Sequence, residues 1–446
     1  MKKEEKGYLF LLAFHALLGG ILFAMPLLSK VFGIALLTFG VYYIVQNKNR
    51  NNEALLMAAY AISAEIILRM TDGAFVNEYG KYLVMLFLLI GMLFSGFSRN
   101  ALLYWLFLFF LVPSMVLSTV TLDLTSDVKK AIVFNISGPI CLGISAIYCF
   151  KRELTFQRLL GVVTAFALPL LTLVTYLYLY TPNVQDVVTG TQSNFETSGG
   201  FGPNQVSTIL GLGIFIFFVQ LLLNSSNALL QLVNGGLVMI FAFRGLVTFS
   251  RGGVYTGAAM ILLLLAVLYF QANFQTKPKI AGIIALSFLA TVAVWSYSSI
   301  QTSGLLSKRY ANQDAAGREK KSQLSGREEL MESEVQMFFD NPILGVGVGK
   351  NKELRQAQTG TEAASHNEVT RMLAEHGTLG VVCLLILFVT PLYLFAVDRQ
   401  NVLALSFFIF WLLTINHAAM RLAAPAFIYA LSLLKVYREA PLVHRE

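Results

Sequence analysis

One histidine of the sequence stands where a general base would be useful. His366 lies in the segment SHNE at 365–368, in which Ser365 and Glu368 have the spacing of a capping box at the start of a helix. We therefore expect His366 in the first turn of that helix, where the positive end of the helix dipole disfavours an imidazolium. A neutral imidazole there can accept a proton from a substrate hydroxyl. The alternative is a polar residue that only satisfies the helix terminus.

Two arginines lie close together at the junction of two apolar segments. Arg251 belongs to the sequence TFSRGG at 248–253, and Arg244 precedes it by about two helical turns. A guanidinium grips phosphate oxygens with two donors at once, so Arg251 is a candidate phosphate ligand. The alternative is an arginine that extends to the membrane interface. Arg244 is better explained as an anchor or as a supporting residue behind the site.

Other polar residues carry weaker signals. The run ILGVGVGK at 343–350 lacks the strand-to-helix context of a phosphate loop and predicts a tight turn against a ligand or a neighbouring helix. Asn204, in GFGPNQ, can cap the next helix or face a sugar. Glu65 and Arg69 have the i,i+4 spacing of a structural ion pair. Since no His, Cys, Asp or Glu cluster has metal-ligand spacing, we expect no metal and no cofactor.

The composition places all of these residues in a membrane protein. The chain has 446 residues, of which 56% are hydrophobic and 13% are charged. A soluble domain carries about 25% charged residues, so a cytosolic enzyme is excluded. The net charge of +8 is spread between apolar blocks. This distribution indicates loops at a membrane surface and not a nucleic-acid interface.

Fourteen apolar runs predict an all-α bundle of about 12–14 transmembrane helices. Eleven of them lie before residue 299, and three follow residue 376. We therefore expect a transmembrane region at 1–298, a loop subdomain at 299–376 and a C-terminal transmembrane region with a tail at 377–446. Backbone polar groups in lipid must be satisfied within each segment, and no alternating barrel pattern occurs, so the spans are helices.

The distribution of Lys and Arg predicts the orientation. Counted over alternate connections, fifteen basic residues fall on the side of the N-terminus, and seven fall in the short connections of the opposite side. The positive-inside rule then places both termini in the cytoplasm and the long loop outside. In that loop, SGRE at 325–328 resembles a capping box and predicts a helix that ends at Asp340-Asn341-Pro342. Met331, Val335, Phe338 and Phe339 would form its apolar face.

The loop also carries a family resemblance. SGREELMESEVQMFFDNPILGVGVGK followed by SHNEVTRMLAEHG resembles the signature region of the O-antigen ligase and polymerase superfamily, and TFSRGG and FGPNQVS resemble the preceding helices of that family. The similarity covers residues 199–397. One departure is that Glu328 to Met331 follow Arg327, where the family often has a large aromatic residue.

The resemblance implies a metal-independent glycosyltransferase of the bacterial inner membrane, acting on its periplasmic face. The donor would be a glycan linked to undecaprenyl diphosphate, and the acceptor would be lipid A core or another lipid-linked glycan. His366 corresponds to the family's proposed base, and Arg251 and Arg327 correspond to its diphosphate ligands. Arg244, Asn204, Asn367 and Glu368 would support them. Polymerase and protein O-oligosaccharyltransferase activities are alternatives within the family, and a transporter or lipid flippase is the alternative outside it.

Overall fold

Helices make up nearly all the regular structure, as the apolar runs predict. The protein is represented by a computed structural model that describes residues 3–123, 126–320, 327–360, 365–417 and 420–438, with the backbone alone at 327, 358 and 359. Within these residues lie seventeen α-helices and one pair of three-residue strands. The all-α prediction for a polytopic membrane protein is confirmed.

The first eleven helices follow one another with short connections, except for the long connection 181–202 between the seventh and eighth helices. They are α1 (Lys3–Ala24), α2 (Leu28–Asn47), α3 (Glu53–Met70), α4 (Tyr79–Ser95), α5 (Leu102–Thr121), α6 (Val128–Cys149), α7 (Phe156–Tyr180), α8 (Pro203–Val219), α9 (Ala228–Val247), α10 (Arg251–Gln271) and α11 (Lys277–Gln301). The long connection contains α12 (Leu305–Tyr310), α13 (Arg327–Asp340) and α14 (Lys350–Thr359), and the last helices are α15 (Glu368–Val397), α16 (Ala404–Ile415) and α17 (Ala424–Leu431). Strands β1 (Glu153–Thr155) and β2 (Lys435–Tyr437) pair in parallel.

Ten of the described helices are long and apolar enough to cross a membrane, and α4 and α16 are shorter apolar helices. Large apolar side chains cover the outer surface of the bundle; on α11, for example, Leu286 is 68% exposed and Phe288 is 67% exposed. Such a surface is stable in lipid and not in water. The centre is formed by α3, α7 and α8, whose side chains are mostly buried.

The connections meet alternately at two ends of the bundle. At one end, β1 and β2 join the α6–α7 connection to the chain after α17. Arg152 there donates to the carbonyl of Gly96 at 2.6 Å, and Arg158 donates to Asn51 at 2.8 Å. The connections 47–53, 95–101 and 150–156, which were predicted to lie on the side of the N-terminus, therefore share this end. The opposite end holds the 181–202 connection, the start of α10 and helices α12 to α14.

Helices α16 and α17 are too short to cross the hydrocarbon layer. Their 12 and 8 residues rise about 18 and 12 Å, whereas a span needs about 30 Å. The sequence predicted spans at 401–416 and 418–435, so this part of the bundle is thinner than expected. The start of α17 lies level with the interior of α3, because the Ala423 N–H donates to Glu65 at 2.9 Å. We call this low region of the end that holds α12 to α14, bordered by the loop before α15, the Asn416–His417 turn and the start of α10, the recess.

Candidate functional site

His366 lines a small pocket in this recess. The pocket encloses about 10 Å³, which is room for about one water molecule, and is lined by Leu330, Met331, Glu334, Ser365, His366, Asn367 and Asn416. These residues come from three separate elements: α13, the connection before α15 and the end of α16. His366 is half-buried, so its imidazole has both protein contacts and access from the pocket.

The start of α15 differs from the predicted capping box. The helix begins at Glu368, and the N-cap is Asn367, whose side-chain oxygen accepts the N–H groups of Val369 at 2.8 Å and Thr370 at 3.3 Å. Ser365 is not the N-cap. His366 therefore precedes the cap and does not lie in the first helical turn. Its side chain is presented by a loop, so the helix dipole does not disfavour its imidazolium in the way expected for a residue of the first turn.

Glu334 of α13 fixes one side of this loop. Its carboxylate, with a side chain 1% exposed, is paired with Arg355 at 2.7 Å. It also accepts hydrogen bonds from Ser365 at 3.2 Å and Thr370 at 2.6 Å. A buried carboxylate with this many partners is fully satisfied. Glu334 therefore acts as a fixed point between α13, α14 and the loop that carries His366.

The predicted apolar face of α13 is partly buried. Met331, Val335 and Phe338 are half-buried and Phe339 is 67% exposed, whereas Glu334 and Met337 are the fully buried side chains. The predicted end of the helix at Asp340 is confirmed. The capping residue Ser325 lies outside the described residues.

A second histidine connects the pocket to the start of α10. Asn367 donates from its amide to Asn416 at 3.1 Å, and the next residue, His417, lies 3.2 Å from the hydroxyl of Thr208 on α8. His417 also packs on Gly252: a Cβ built there would lie 2.7 Å from the imidazole ring. Since Gly252 adjoins Arg251, the Asn416–His417 turn contacts both the loop of the predicted base and the helix start of the predicted phosphate ligand.

Three basic residues gather around the start of α10. Arg251 is the first residue of the helix, and Arg309 of α12 donates from Nε to the Phe249 carbonyl at 3.0 Å. Lys320 donates from Nζ to the Thr191 carbonyl at 3.4 Å. Burial and the positive charges of Arg309 and Arg251 lower the pKa of the Lys320 ammonium, against the opposite effect of Asp314. Like charges held this close, beside the positive end of a 21-residue helix, favour an anionic ligand.

The other predicted arginines have different surroundings. Arg327 is the first residue of α13, but its side chain lies outside the described residues, so its predicted role stays a prediction. Arg244 is fully buried and donates to the carbonyls of Leu177, Thr181 and Thr197 at 2.9–3.3 Å. These contacts make Arg244 a clamp on the 181–202 connection, behind the surface of the recess.

Two predicted supporting residues are also placed by the structure. Asn204 accepts a hydrogen bond from Ser250 at 2.8 Å, directly beside Arg251. Glu368 instead forms an ion pair with Arg371, which also pairs with Glu375 at 2.5 Å. This buried triad lies along one face of α15, and none of its three side chains lines the pocket.

The glycine run at 343–350 is a packing turn, as predicted. Gly345, Gly347 and Gly349 have φ values of 71°, 98° and 82°, a region that glycine adopts readily. The Gly349 N–H donates to Glu375 at 2.9 Å, and a Cβ at Gly347 would lie 3.0 Å from Ser118. The loop therefore lies directly on α5 and α15, and its N–H groups serve the protein.

Sequence reasoning did not assign Arg309, Lys320, Asn416 or His417 to the site. Arg309 and Lys320 sit among the mixed charges of the long connection, and nothing in their spacing relates them to Arg251. His417 follows an apolar run that reads as a full span, which conceals that α16 stops early. Among the described residues there is no group of three or more His, Cys, Asp or Glu residues able to hold a metal.

Residues 236–385 match the family model described as O-Antigen ligase. This range is about a third of the chain and extends from α9 into α15. It contains Arg251, Arg309, Lys320 and His366, whereas Asn204, Asn416 and His417 lie outside it. No curated protein and no solved structure matches the chain.

Proposed function

We propose that this chain is a glycosyltransferase of the O-antigen ligase and polymerase type, which the family match at residues 236–385 supports. It would transfer a glycan from an undecaprenyl-diphosphate carrier to the hydroxyl of an acceptor sugar, with lipid A core as the favoured acceptor. The observation that carries the proposal is the Asn416–His417 turn, since it contacts both the loop of His366 and the helix start at Arg251. A base and a phosphate site on one recess are the two parts that such a transfer needs.

The donor would approach from the bilayer, with its diphosphate against the basic residues at the start of α10. In this proposal Arg251, Arg309 and Lys320 bind the diphosphate, and Arg327 joins them as the family resemblance implies. Their positive charges stabilise the negative charge that develops on the departing phosphate. Because the cations are already assembled, little reorganisation is needed when the bond breaks.

His366 would act on the acceptor. Its imidazole takes the proton of the attacking hydroxyl while the acceptor oxygen bonds to the anomeric carbon, and the bond from that carbon to the phosphate oxygen breaks. The leaving group is undecaprenyl diphosphate, which keeps the electron pair. A single displacement of this kind inverts the anomeric configuration. It needs neither a nucleotide nor a metal ion.

We place the recess on the periplasmic face of the bacterial inner membrane, with both termini in the cytoplasm. The excess of basic residues on the side of the N-terminus supports this orientation. So does the arrangement that brings the connections 47–53, 95–101, 150–156 and 397–403 to the end opposite the recess. The orientation is tested with a reporter enzyme that is active only in the periplasm, fused at the C-terminus or inserted in the 181–202 connection. We expect activity only from the insertion in the 181–202 connection.

The function is tested with purified protein in liposomes that contain an undecaprenyl-diphosphate glycan, with and without lipid A core. We expect glycan on lipid A core with the wild type and a large loss with His366→Ala. Longer lipid-linked chains without lipid A core would identify a polymerase instead. Absence of transfer together with ion-coupled uptake into the vesicles would favour the transporter alternative.

A further inference from the structure

The loop that carries His366 is held by residues outside the matched family domain. The guanidinium of Arg421 donates from Nη2 to the carbonyl of Ser365 at 3.1 Å. That carbonyl belongs to the peptide group that joins Ser365 to His366. Fixing the plane of this group restricts the backbone of His366 itself. Arg421 therefore holds the chain immediately before the proposed base.

Arg421 is in turn held by two charged residues of α3. Arg69 donates from Nη2 to the Arg421 carbonyl at 3.3 Å, and the Ala423 N–H donates to Glu65 at 2.9 Å. Glu65 and Arg69 form an ion pair at 2.9 Å, as their spacing predicts. The pair thus grips the backbone at Arg421 and two residues beyond it.

This ion pair is well placed to act as a rigid support. The Glu65 side chain is 1% exposed and that of Arg69 is 13% exposed, so both are constrained by packing. Arg69 also donates to Gln205 at 3.1 Å, which ties the pair to the start of α8 near Asn204. A Cβ at Gly80 would lie 2.6 Å from the Glu65 carboxyl carbon, so α4 closes over it.

We propose that Arg421 is a positioning residue for His366, supported by Glu65 and Arg69, so that helix α3 sets the position of the general base. This inference rests on the proposed function for its catalytic consequence. Its structural part, the dependence of the His366 environment on Arg421, stands on the contacts alone. Transfer reactions are sensitive to such positions, since a misplacement of about 1 Å can reduce a rate about 100-fold.

The test compares the wild type with Arg421→Gln and Arg421→Lys. The matched control is Arg399→Gln, because Arg399 is an exposed arginine at the opposite end of the bundle. Glycan transfer is measured in liposomes. The reaction of His366 with diethyl pyrocarbonate is measured on the same proteins by peptide mass spectrometry, which needs no activity.

For Arg421→Gln we expect kcat to fall about 10- to 100-fold with the donor KM unchanged, and the labelling rate of His366 to change. Arg421→Lys should recover part of the loss, because an ammonium can still donate to a carbonyl. The double variant with His366→Ala should be no slower than His366→Ala alone, since both changes remove one function. Arg399→Gln should match the wild type.

Three outcomes decide the matter. Wild-type kcat and wild-type His366 labelling in a folded Arg421→Gln overturn the proposal. A higher donor KM with unchanged labelling also overturns it, because Arg421 would then contact the donor. No transfer by the wild type, with labelling still dependent on Arg421, refutes the proposed function and leaves the positioning role supported. If Arg421→Gln does not fold, the same measurements on Arg421→Lys decide, and wild-type kcat with wild-type His366 labelling in that variant would overturn the proposal.

Discussion

Two groups of charged residues at the same end of the bundle are built on opposite plans. Within the long connection and α15, Glu334 pairs with Arg355, and Arg371 lies between Glu368 and Glu375; each of these side chains is at most 4% exposed. Around the start of α10, Arg251, Arg309 and Lys320 are half-buried and have the same sign. In the first group each charge has a buried partner of opposite sign, and we call it the balanced group; the second, which we call the basic group, consists of three half-buried cations.

This contrast separates charges that stabilise the fold from charges that can bind a ligand. A buried charge that keeps a partner of opposite sign fixes the fold, because removing either partner leaves the other unsatisfied. A group of like charges repels itself, and an anionic ligand would relieve that repulsion. The balanced group therefore holds the loop that carries His366, and the basic group is suited to receive an anion.

The largest expected effect concerns His366 itself. His366→Ala should reduce the rate of glycan transfer about 10²- to 10⁴-fold, because a general base contributes that much. The measurement is the initial rate in liposomes at saturating donor. His366→Ala should elute and melt like the wild type, since the residue lies in a loop. An unchanged rate would remove His366 from the mechanism.

Substitutions in the balanced group should lower the free energy of unfolding. Arg355→Met leaves the Glu334 carboxylate buried without its ion-pair partner, so we expect a destabilisation of about 3–5 kcal/mol. Thermal unfolding in detergent, followed by intrinsic fluorescence, reports the fall in Tm. The control is Lys435→Met, which breaks an exposed pair with Glu153 and should leave the Tm nearly unchanged. Equal shifts for both variants would contradict the assignment of the buried pair.

Substitutions in the basic group should weaken the binding of the diphosphate. Lys320→Gln and Arg309→Gln each remove a charged donor worth about 1.5–3 kcal/mol, so the Kd for undecaprenyl diphosphate in nanodiscs should rise at least about tenfold. Lys308→Gln, on the same helix as Arg309, is the control. Lys320→Gln should also leave the Tm of the ligand-free protein equal or higher, because like charges repel. A lower Tm with unchanged binding would place Lys320 in the structural group.

The smallest effect is a pH dependence at the edge of the balanced group. Burial acts to raise the pKa of Glu353, but hydrogen bonds from Lys350, Ser126 and the Asp123 N–H outweigh it and hold this pKa below its usual value. A depressed pKa stabilises the fold above the usual carboxylate pKa, and the stability is lost as the pH falls through the folded value.

Glu353→Gln should therefore lose about 0.5–1.5 kcal/mol of stability near pH 7 and show a weaker fall in Tm between pH 6 and pH 3 than the wild type. Parallel Tm profiles for the two proteins would show that the Glu353 contacts do not stabilise the carboxylate.

Several features could be predicted because local rules govern them. Each predicted apolar run corresponds to a helix, since lipid leaves the backbone no other way to satisfy its hydrogen bonds. The Glu65–Arg69 ion pair follows from helical spacing. Glycine has no Cβ, so the glycine run predicts a tight packing turn, and the positive φ values agree with that prediction. The capping box at Ser365 failed because Asn367 competes for the same N–H groups and wins by being adjacent to the helix.

By itself, the sequence determined the membrane environment, the number of apolar segments and the two candidate residues His366 and Arg251. The amino-acid composition and the spacing of apolar residues depend only on residues that are close in the sequence, so both can be evaluated without the fold. Only the tertiary structure decided that α16 stops early, that Asn416 and His417 join the two candidates, and that Arg421 and Arg69 support them. Those contacts join residues up to 352 positions apart, and no local pattern encodes such a distance.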